Sequence, residues 1–252
     1  MMKLENTRAV VTGGASGIGL AITKALRAEG VHVLIVGRNQ ARLNDVCSGD
    51  TAVTSFAADL SMPSERDRLV QHLLSQRHGV DIFINNAGIM QSIDLRMPDA
   101  MSLLEDELAL NLSAPIHLAT AMLPHLLTRP VAAIVNITTG LIYAPFGHAP
   151  GYSASKSGLH AFTQSLRWQT RLSEIQVLEV MPPAVDTPMT KDANISKVQP
   201  EVVAAAIVKA LKNGTREIRV GQSKALYFMS RLAPEAIFKM MNKMAEKELT
   251  HS

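Results

Sequence analysis

Tyr152 and Lys156 stand four residues apart in GYSASKSGL, a spacing that puts both side chains on one face of a helix. A free tyrosine has a pKa of about 10 and is a poor base at neutral pH, but a neighbouring ammonium favours the phenolate and lowers that value. Such a phenol can give a proton to a carbonyl being reduced or take one from an alcohol being oxidised. The same spacing also arises wherever a tyrosine and a lysine merely share a helix face. A second chemical feature is Arg8 to Leu20, RAVVTGGASGIGL, where strand-like residues run into Gly13, Gly17 and Gly19, and helical periodicity follows from Leu20 to Leu26. Glycine has no Cβ, so the backbone can bend sharply. A diphosphate can then approach the N–H groups that open the following helix, where the dipole favours negative charge. Glycines also serve ordinary turns, but the strand before and the helix after favour nucleotide binding.

The elements that must hold these residues are legible as apolar runs. Strand-like segments recur at Ala9 to Val11, Val31 to Val36, Ala52 to Ala57, Asp81 to Ile84, Val131 to Ile137, Ile175 to Met181 and Glu217 to Val220, with helical stretches between them. This alternation predicts an α/β, doubly wound, Rossmann-like fold: a largely parallel seven-stranded sheet with helices on both faces. With neither linker nor repeat, residues 1–252 read as one domain. The polar and glycine clusters follow strands directly, at Gly13 to Gly19, Gly37-Arg38, Asp59-Leu60, Asn85 to Gly88, Thr138-Thr139 and Pro182 to Thr187. In an open α/β sheet ligands bind outside the carboxyl ends of the strands, so all six clusters are expected on one crevice.

Composition excludes several classes. The single Cys47 rules out an internal disulfide or a cysteine-rich metal cluster and suggests a reducing, cytoplasmic setting. Eight histidines show neither H-E-x-x-H nor paired-ligand spacing, so no metal is expected. The N-terminal residues carry no apolar signal core, and no apolar run approaches the ~20 residues a membrane helix needs. Net charge is +3, yet residues 209–252 hold nine basic and four acidic side chains, +5, leaving −2 elsewhere. That local excess is too modest for a nucleic-acid face, and no binding motif accompanies it. Gly151 to Ser155 superficially matches G-x-S-x-G, but the last position is serine and no strand-turn-helix elbow precedes it.

Taken together, Thr12-Gly13-x-x-x-Gly17-x-Gly19, Asn85-Asn86-Ala87-Gly88 and Tyr152-x-x-x-Lys156 resemble the short-chain dehydrogenase/reductase family over about Ala9 to Thr187. The resemblance implies an oxidoreductase that moves hydride between a nicotinamide cofactor and a carbonyl/alcohol pair, with Tyr152 as general acid/base. Lys156 would hold the nicotinamide ribose and, with the nicotinamide cation, make the phenol more acidic. Thr139, thirteen residues before Tyr152, stands where the family usually has serine; its hydroxyl can bond the substrate oxygen, and a threonine that only finishes a strand is the less favoured reading given its register with Tyr152. Asn111 matches the family's fourth catalytic position. Pro115, four residues on, has no N–H to give the Asn111 carbonyl, which is then free for water unless Pro115 bends the helix for packing alone.

The implied cofactor residues are Gly13, Ser16, Gly17, Ile18, Gly19, Arg38, Asn39, Asp59, Leu60, Asn86, Ala87, Gly88, Tyr152, Lys156, Pro182, Val185 and Thr187. Gly37 occupies the position after the second strand where an NAD enzyme usually has a carboxylate. Arg38 and Asn39 beside it offer donors to a 2′-phosphate, so NADP(H) is preferred and NAD(H) remains possible. Arg38 could instead be a solvated residue at a helix start, Asp59 a helix cap, and the paired asparagines a simple turn. Pro182 to Thr187 follows the family's P-G-x-V-x-T except for Pro183, which fixes φ. Within the family, P-P-x-V-D-T and G-R-N are similar to the DltE-like bacterial oxidoreductases.

Residues 188–199 read as a short polar substrate loop, and 222–252 as a C-terminal helical extension. In that extension Ile237, Met240, Met241 and Met244 form one apolar stripe opposed by lysines. Docking on the domain or on a neighbouring subunit, pocket closure and membrane-surface contact are its three readings, with membrane contact the least favoured. His148 could line the pocket or sit on a surface loop. The resemblance also implies a homodimer or homotetramer, for which Trp168, off the face marked by Leu159, Phe162 and Leu166, is a candidate contact. The rival of a different class is a dinucleotide-binding regulatory or scaffold protein with little turnover.

Overall fold

The computed structural model describes residues 2–249, with side chains described as far as residue 243. Seven strands, β1 (Arg8–Thr12), β2 (His32–Gly37), β3 (Val53–Ala57), β4 (Ile82–Asn85), β5 (Ala132–Ile137), β6 (Ile175–Met181) and β7 (Glu217–Arg219), form one sheet in the order β3-β2-β1-β4-β5-β6-β7. All six neighbouring pairs are parallel. The order reverses between β1 and β4, which opens a crevice at their carboxyl ends. The strands fall within a residue of the expected runs.

Side chains alternate across the sheet and define two cores. Val11, Ile35, Ile84, Val135 and Val180 join Ile22 and Leu26 of α1 (Gly17–Ala28) and Ile207 and Leu211 of α7 (Pro200–Asn213) on one face. Val10, Phe83, Ile134 and Val177 join Leu69 and Leu73 of α3 (Pro63–Ser75), Leu118 and Met122 of α5 (Ala114–Leu126) and Leu166 of α6 (Pro150–Gln169) on the other. Strands buried on both faces read as continuous apolar runs, as parallel sheets require. The remaining helices are α2 (Gln40–Cys47), α4 (Ala100–Leu108), α8 (Ser223–Leu232) and α9 (Pro234–Leu249).

Two features position the site. A π-helical turn, Ala109–Ser113, joins α4 to α5, and there the Ala114 N–H reaches back five residues to the Ala109 carbonyl. A loosened ladder is the expected consequence of Pro115, and such turns recur at functional sites. The C-terminal extension is two helices, and Asn242 of α9 accepts from the Gly147 N–H (2.5 Å) and donates to the Pro145 carbonyl (3.1 Å). With Ile237 buried, these bonds match the docking reading of that extension; the Met244 side chain of its expected stripe lies outside the described residues.

Candidate active site

The glycine turn is held from both sides. Gly13 (φ +66°) and Gly17 (φ +50°) adopt the left-handed conformation that glycine alone takes freely. A Cβ on Gly19 would lie 2.1 Å from the Gly13 carbonyl oxygen, so the helix packs directly on the turn. Thr12 is the hub beneath it: its hydroxyl accepts from the Asn86 and Ala87 N–H groups (2.9 and 3.0 Å) and donates to the Ile84 carbonyl (3.2 Å). The Asn86 amide then donates to the Thr12 carbonyl (2.9 Å). Ser16 caps α1 without a side-chain bond, and no acidic residue lies in the first turn, while Ile18 packs against the core. This cradle fits a dinucleotide diphosphate: free N–H groups, positive dipole end, and backbone approach that a Cβ would block.

At the ends of β2 and β3, Arg38 points a guanidinium nitrogen to within 3.8 Å of the Asp59 carboxylate and is mostly exposed. Burial pushes the Asp59 carboxyl up, but two bonds from Ser61 and the Arg38 charge outweigh it and the net shift is downward. Asp59 thus forms a turn with Ser61 and does not cap α3, whose N-cap is Met62. The Asn39 side chain accepts from the Arg42 N–H (3.0 Å) and so caps α2. The Leu60 side chain lies in the core.

Pro150 opens α6 at its first helical position, where a missing N–H costs nothing, and sets Tyr152 in the first turn with Lys156 one turn on. The Tyr152 phenol faces the Thr139 hydroxyl, which accepts from the Leu141 N–H (3.3 Å). Lys156 is buried and donates to the Ile137 carbonyl (2.9 Å); a Cβ on Gly88 would sit 3.5 Å from its ammonium and 3.0 Å from Asn111 Oδ1. The Asn111 side chain, also buried, accepts from the Ile89 N–H (2.9 Å) and donates to the Ile89 carbonyl (2.8 Å) and Ser155 Oγ (3.3 Å). Asn111, Thr139, Tyr152, Lys156 and Gly88 therefore meet.

The expected lowering of the tyrosine is not found. Burial pushes the Tyr152 phenol up to about 12; the Thr139 hydroxyl draws it back and the Glu107 charge raises it further. Lys156 fails to counter this because its ammonium is 5.9 Å from the Tyr152 ring centroid and committed to a backbone carbonyl, and burial pushes it down to about 8.

The 182–187 segment closes on the glycine turn. A Cβ on Gly17 would lie 3.0 Å from Thr187 Cγ2, so Thr187 borders the cradle. The Val198 N–H donates to the Ala184 carbonyl (3.0 Å) and the Asp186 N–H to the Val198 carbonyl (2.9 Å). Both bonds use residues flanking Val185, so the Val185 N–H points the other way. The Pro182 carbonyl accepts from the Gly140 N–H (3.0 Å), fixing the turn despite Pro183. His148 is partly buried, its ring edge-on to Phe146, and its carbonyl accepts from the Ile93 N–H (2.9 Å).

Sequence reasoning missed three supporting groups. A buried ladder runs from Asn85 to Asn136 (2.8 Å) to Thr163 (2.8 Å), tying β4 and β5 to α6. Buried Glu179 accepts from Thr138 (2.9 Å) and pairs with His160 Nδ1 (2.8 Å), one turn beyond Lys156 on α6. Glu107 lies buried under Tyr152. Asn85 and Asn136 were findable as polar residues inside apolar strands; the other pairs are long-range.

A profile of the short chain dehydrogenase family matches residues 7–197. The chain belongs to this family and is an NAD(P)-dependent oxidoreductase of CH–OH or C=O groups. It is similar to an uncharacterised oxidoreductase, DltE, of Bacillus subtilis (strain 168): 33% identical over 248 residues, 96% of this chain and 98% of that protein. It is similar also to a fatty acyl-CoA reductase of Acinetobacter baylyi, 30% identical over 240 residues, 90% of this chain and 80% of that protein. Among solved structures, an actinorhodin polyketide ketoreductase variant with NADPH superposes with a TM-score of 0.76 at 26% identity, covering 87% of this chain and 97% of that one.

Proposed function

We propose that this chain uses NADP(H) to interconvert a carbonyl and an alcohol, with Tyr152 as general acid/base. The observation that carries the reading is the meeting of Thr139, Tyr152 and Lys156 beside Gly88, at the strand ends that also carry the glycine cradle. When bound, the nicotinamide gives or accepts hydride. Thr139 holds the substrate oxygen, Tyr152 gives that oxygen its proton in reduction, and Lys156 holds the nicotinamide ribose. Asn111 braces the 88–89 backbone above Lys156. Gly13, Ser16, Gly17, Ile18 and Gly19 cradle the diphosphate, Asn86, Ala87, Asp59 and Leu60 border the adenosine side, and Pro182, Val185 and Thr187 hold the nicotinamide side. NADP(H) is favoured over NAD(H) because Gly37 stands where a carboxylate would repel a 2′-phosphate and Arg38 is exposed beside it; the similar ketoreductase was solved with NADPH.

Residues 1–252 act as one catalytic unit in the cytoplasm, as a homodimer or homotetramer, with 188–199 over the substrate. The substrate is a small-molecule carbonyl or alcohol. A dinucleotide-binding regulator with little turnover is the second reading, favoured by Thr139 and Pro183 in place of serine and glycine. A panel of ketones and aldehydes, fatty aldehydes included, assayed with NADPH separates the two. Loss of NADPH absorbance with at least one carbonyl is expected; tight NADPH binding with no loss across the panel supports the regulator.

A further inference from the structure

The helix that carries Tyr152 begins without a cap of its own. Its N-cap is Ala149, which has no side chain to offer, and Pro150 has no N–H. The Ser153 N–H is taken by the Ala149 carbonyl (3.0 Å), which leaves the Gly151 and Tyr152 N–H groups as the orphan donors at this end. A fully buried carboxyl from another helix, Glu107 of α4, lies against them. A Cβ on Gly151 would fall 2.3 Å from Glu107 Oε2, so only glycine lets the acid come this close. Burial holds the Glu107 carboxyl above its ordinary value, the Gln91 and Tyr152 N–H groups offset this only in part, and Oε2 has no full hydrogen bond among the described residues. The other oxygen, Oε1, is firmly placed and accepts from the Gln91 N–H (2.7 Å), in the loop that follows Gly88. Two residues on, the Ile93 N–H is tied to the His148 carbonyl just before α6.

We propose that Glu107 is a positioning residue: it caps the Tyr152 helix from outside and clamps the 89–93 loop to that helix start, so that phenol and loop keep a fixed separation. A carboxylate at a helix N-terminus is favoured by the dipole, and a buried acceptor facing two unpaired donors has no cheaper arrangement. The titratable group that feels its charge is Tyr152 on α6. The 89–93 loop contributes none, and Glu105 and Asp106 of α4 are exposed. Lys156 is turned to Ile137, so the charge of Glu107 acts chiefly on Tyr152.

The inference rests on the reading of Tyr152 as acid/base, and the test separates the two. Wild type, Glu107→Gln, Glu107→Ala and the exposed control Glu105→Gln are compared by amide hydrogen exchange and by the pH dependence of alcohol oxidation with NADP. In the isosteric Glu107→Gln, which puts an amide donor against the helix N–H groups in place of the charged acceptor, exchange at residues 151–153 is expected to speed up by about tenfold, while α4 stays protected. In Glu107→Ala residue 91 loosens as well. Removing the negative charge also shifts the alkaline rise of oxidation to lower pH, which a merely structural role would not do. Unchanged exchange at 151–153, or an unmoved profile in folded Glu107→Gln, overturns the proposal. A wild type that binds NADPH but turns nothing over defeats the functional reading, and the exchange data still judge the cap.

Discussion

A phenol held at about 12 is protonated throughout the neutral range, which makes Tyr152 a ready donor and a reluctant acceptor. The two directions of the proposed reaction should therefore differ in pH dependence. Carbonyl reduction is expected to be level up to about pH 8 and to fall above it, as buried Lys156 loses its proton. Alcohol oxidation needs the phenolate and should keep rising with pH. Initial rates in both directions across a buffer series check this; an oxidation rate that plateaus near neutrality contradicts it. At this scale the sequence was a good guide to who meets whom, since Tyr152, Lys156, Thr139 and Asn111 converge as their motifs implied. It was a poor guide to protonation, because burial and the reach of Glu107 from another helix depend on packing that no local spacing records. Asn39 and Leu60 show the same limit: each sits where expected, but one side chain caps a helix and the other fills the core.

Among the elements, α6 gathers most of the chemistry and is tied to the sheet by polar contacts rather than by its apolar stripe alone. His160 illustrates the energetics. Its hydrogen bond to Glu179 holds the imidazole above the ordinary value, with burial opposing. A folded-state pKa above the unfolded one means that the pair's stabilisation is fully present below the unfolded value and is lost as pH rises through the folded one. His160→Ala should cost about 1–3 kcal/mol in mildly acidic buffer, because a buried carboxylate keeps only its Thr138 bond, and less in alkaline buffer. Urea denaturation at two pH values measures it; an equal loss at both would show that the pair is not ionic. Strand boundaries and order of elements were legible because parallel strands buried on both faces are continuous apolar runs between glycine and proline signals. The π-turn was legible only as a consequence of Pro115, and the Glu179–His160 bridge, between β6 and α6, was not legible at all.

For the whole molecule, the proposed homo-oligomer has exposed apolar surface to draw on. Trp168, in the last turn of α6, is 68% exposed and Leu172, just past that helix, 91%, both outside the face that buries Leu159 and Leu166. Under the proposed homo-oligomer, Trp168→Glu should shift sedimentation toward smaller species with the fold intact, whereas a wild type that already sediments as a monomer removes this reading. No helix among the described residues is long and apolar enough to cross a membrane. The central claim is that Tyr152 delivers the proton while the glycine cradle holds the cofactor. Its most direct measurement is NADPH affinity alongside carbonyl-dependent NADPH oxidation, for wild type and Tyr152→Phe. The account predicts near-equal affinity and a turnover reduced by about 10²–10⁴-fold in the variant; turnover that survives the loss of the hydroxyl would contradict it.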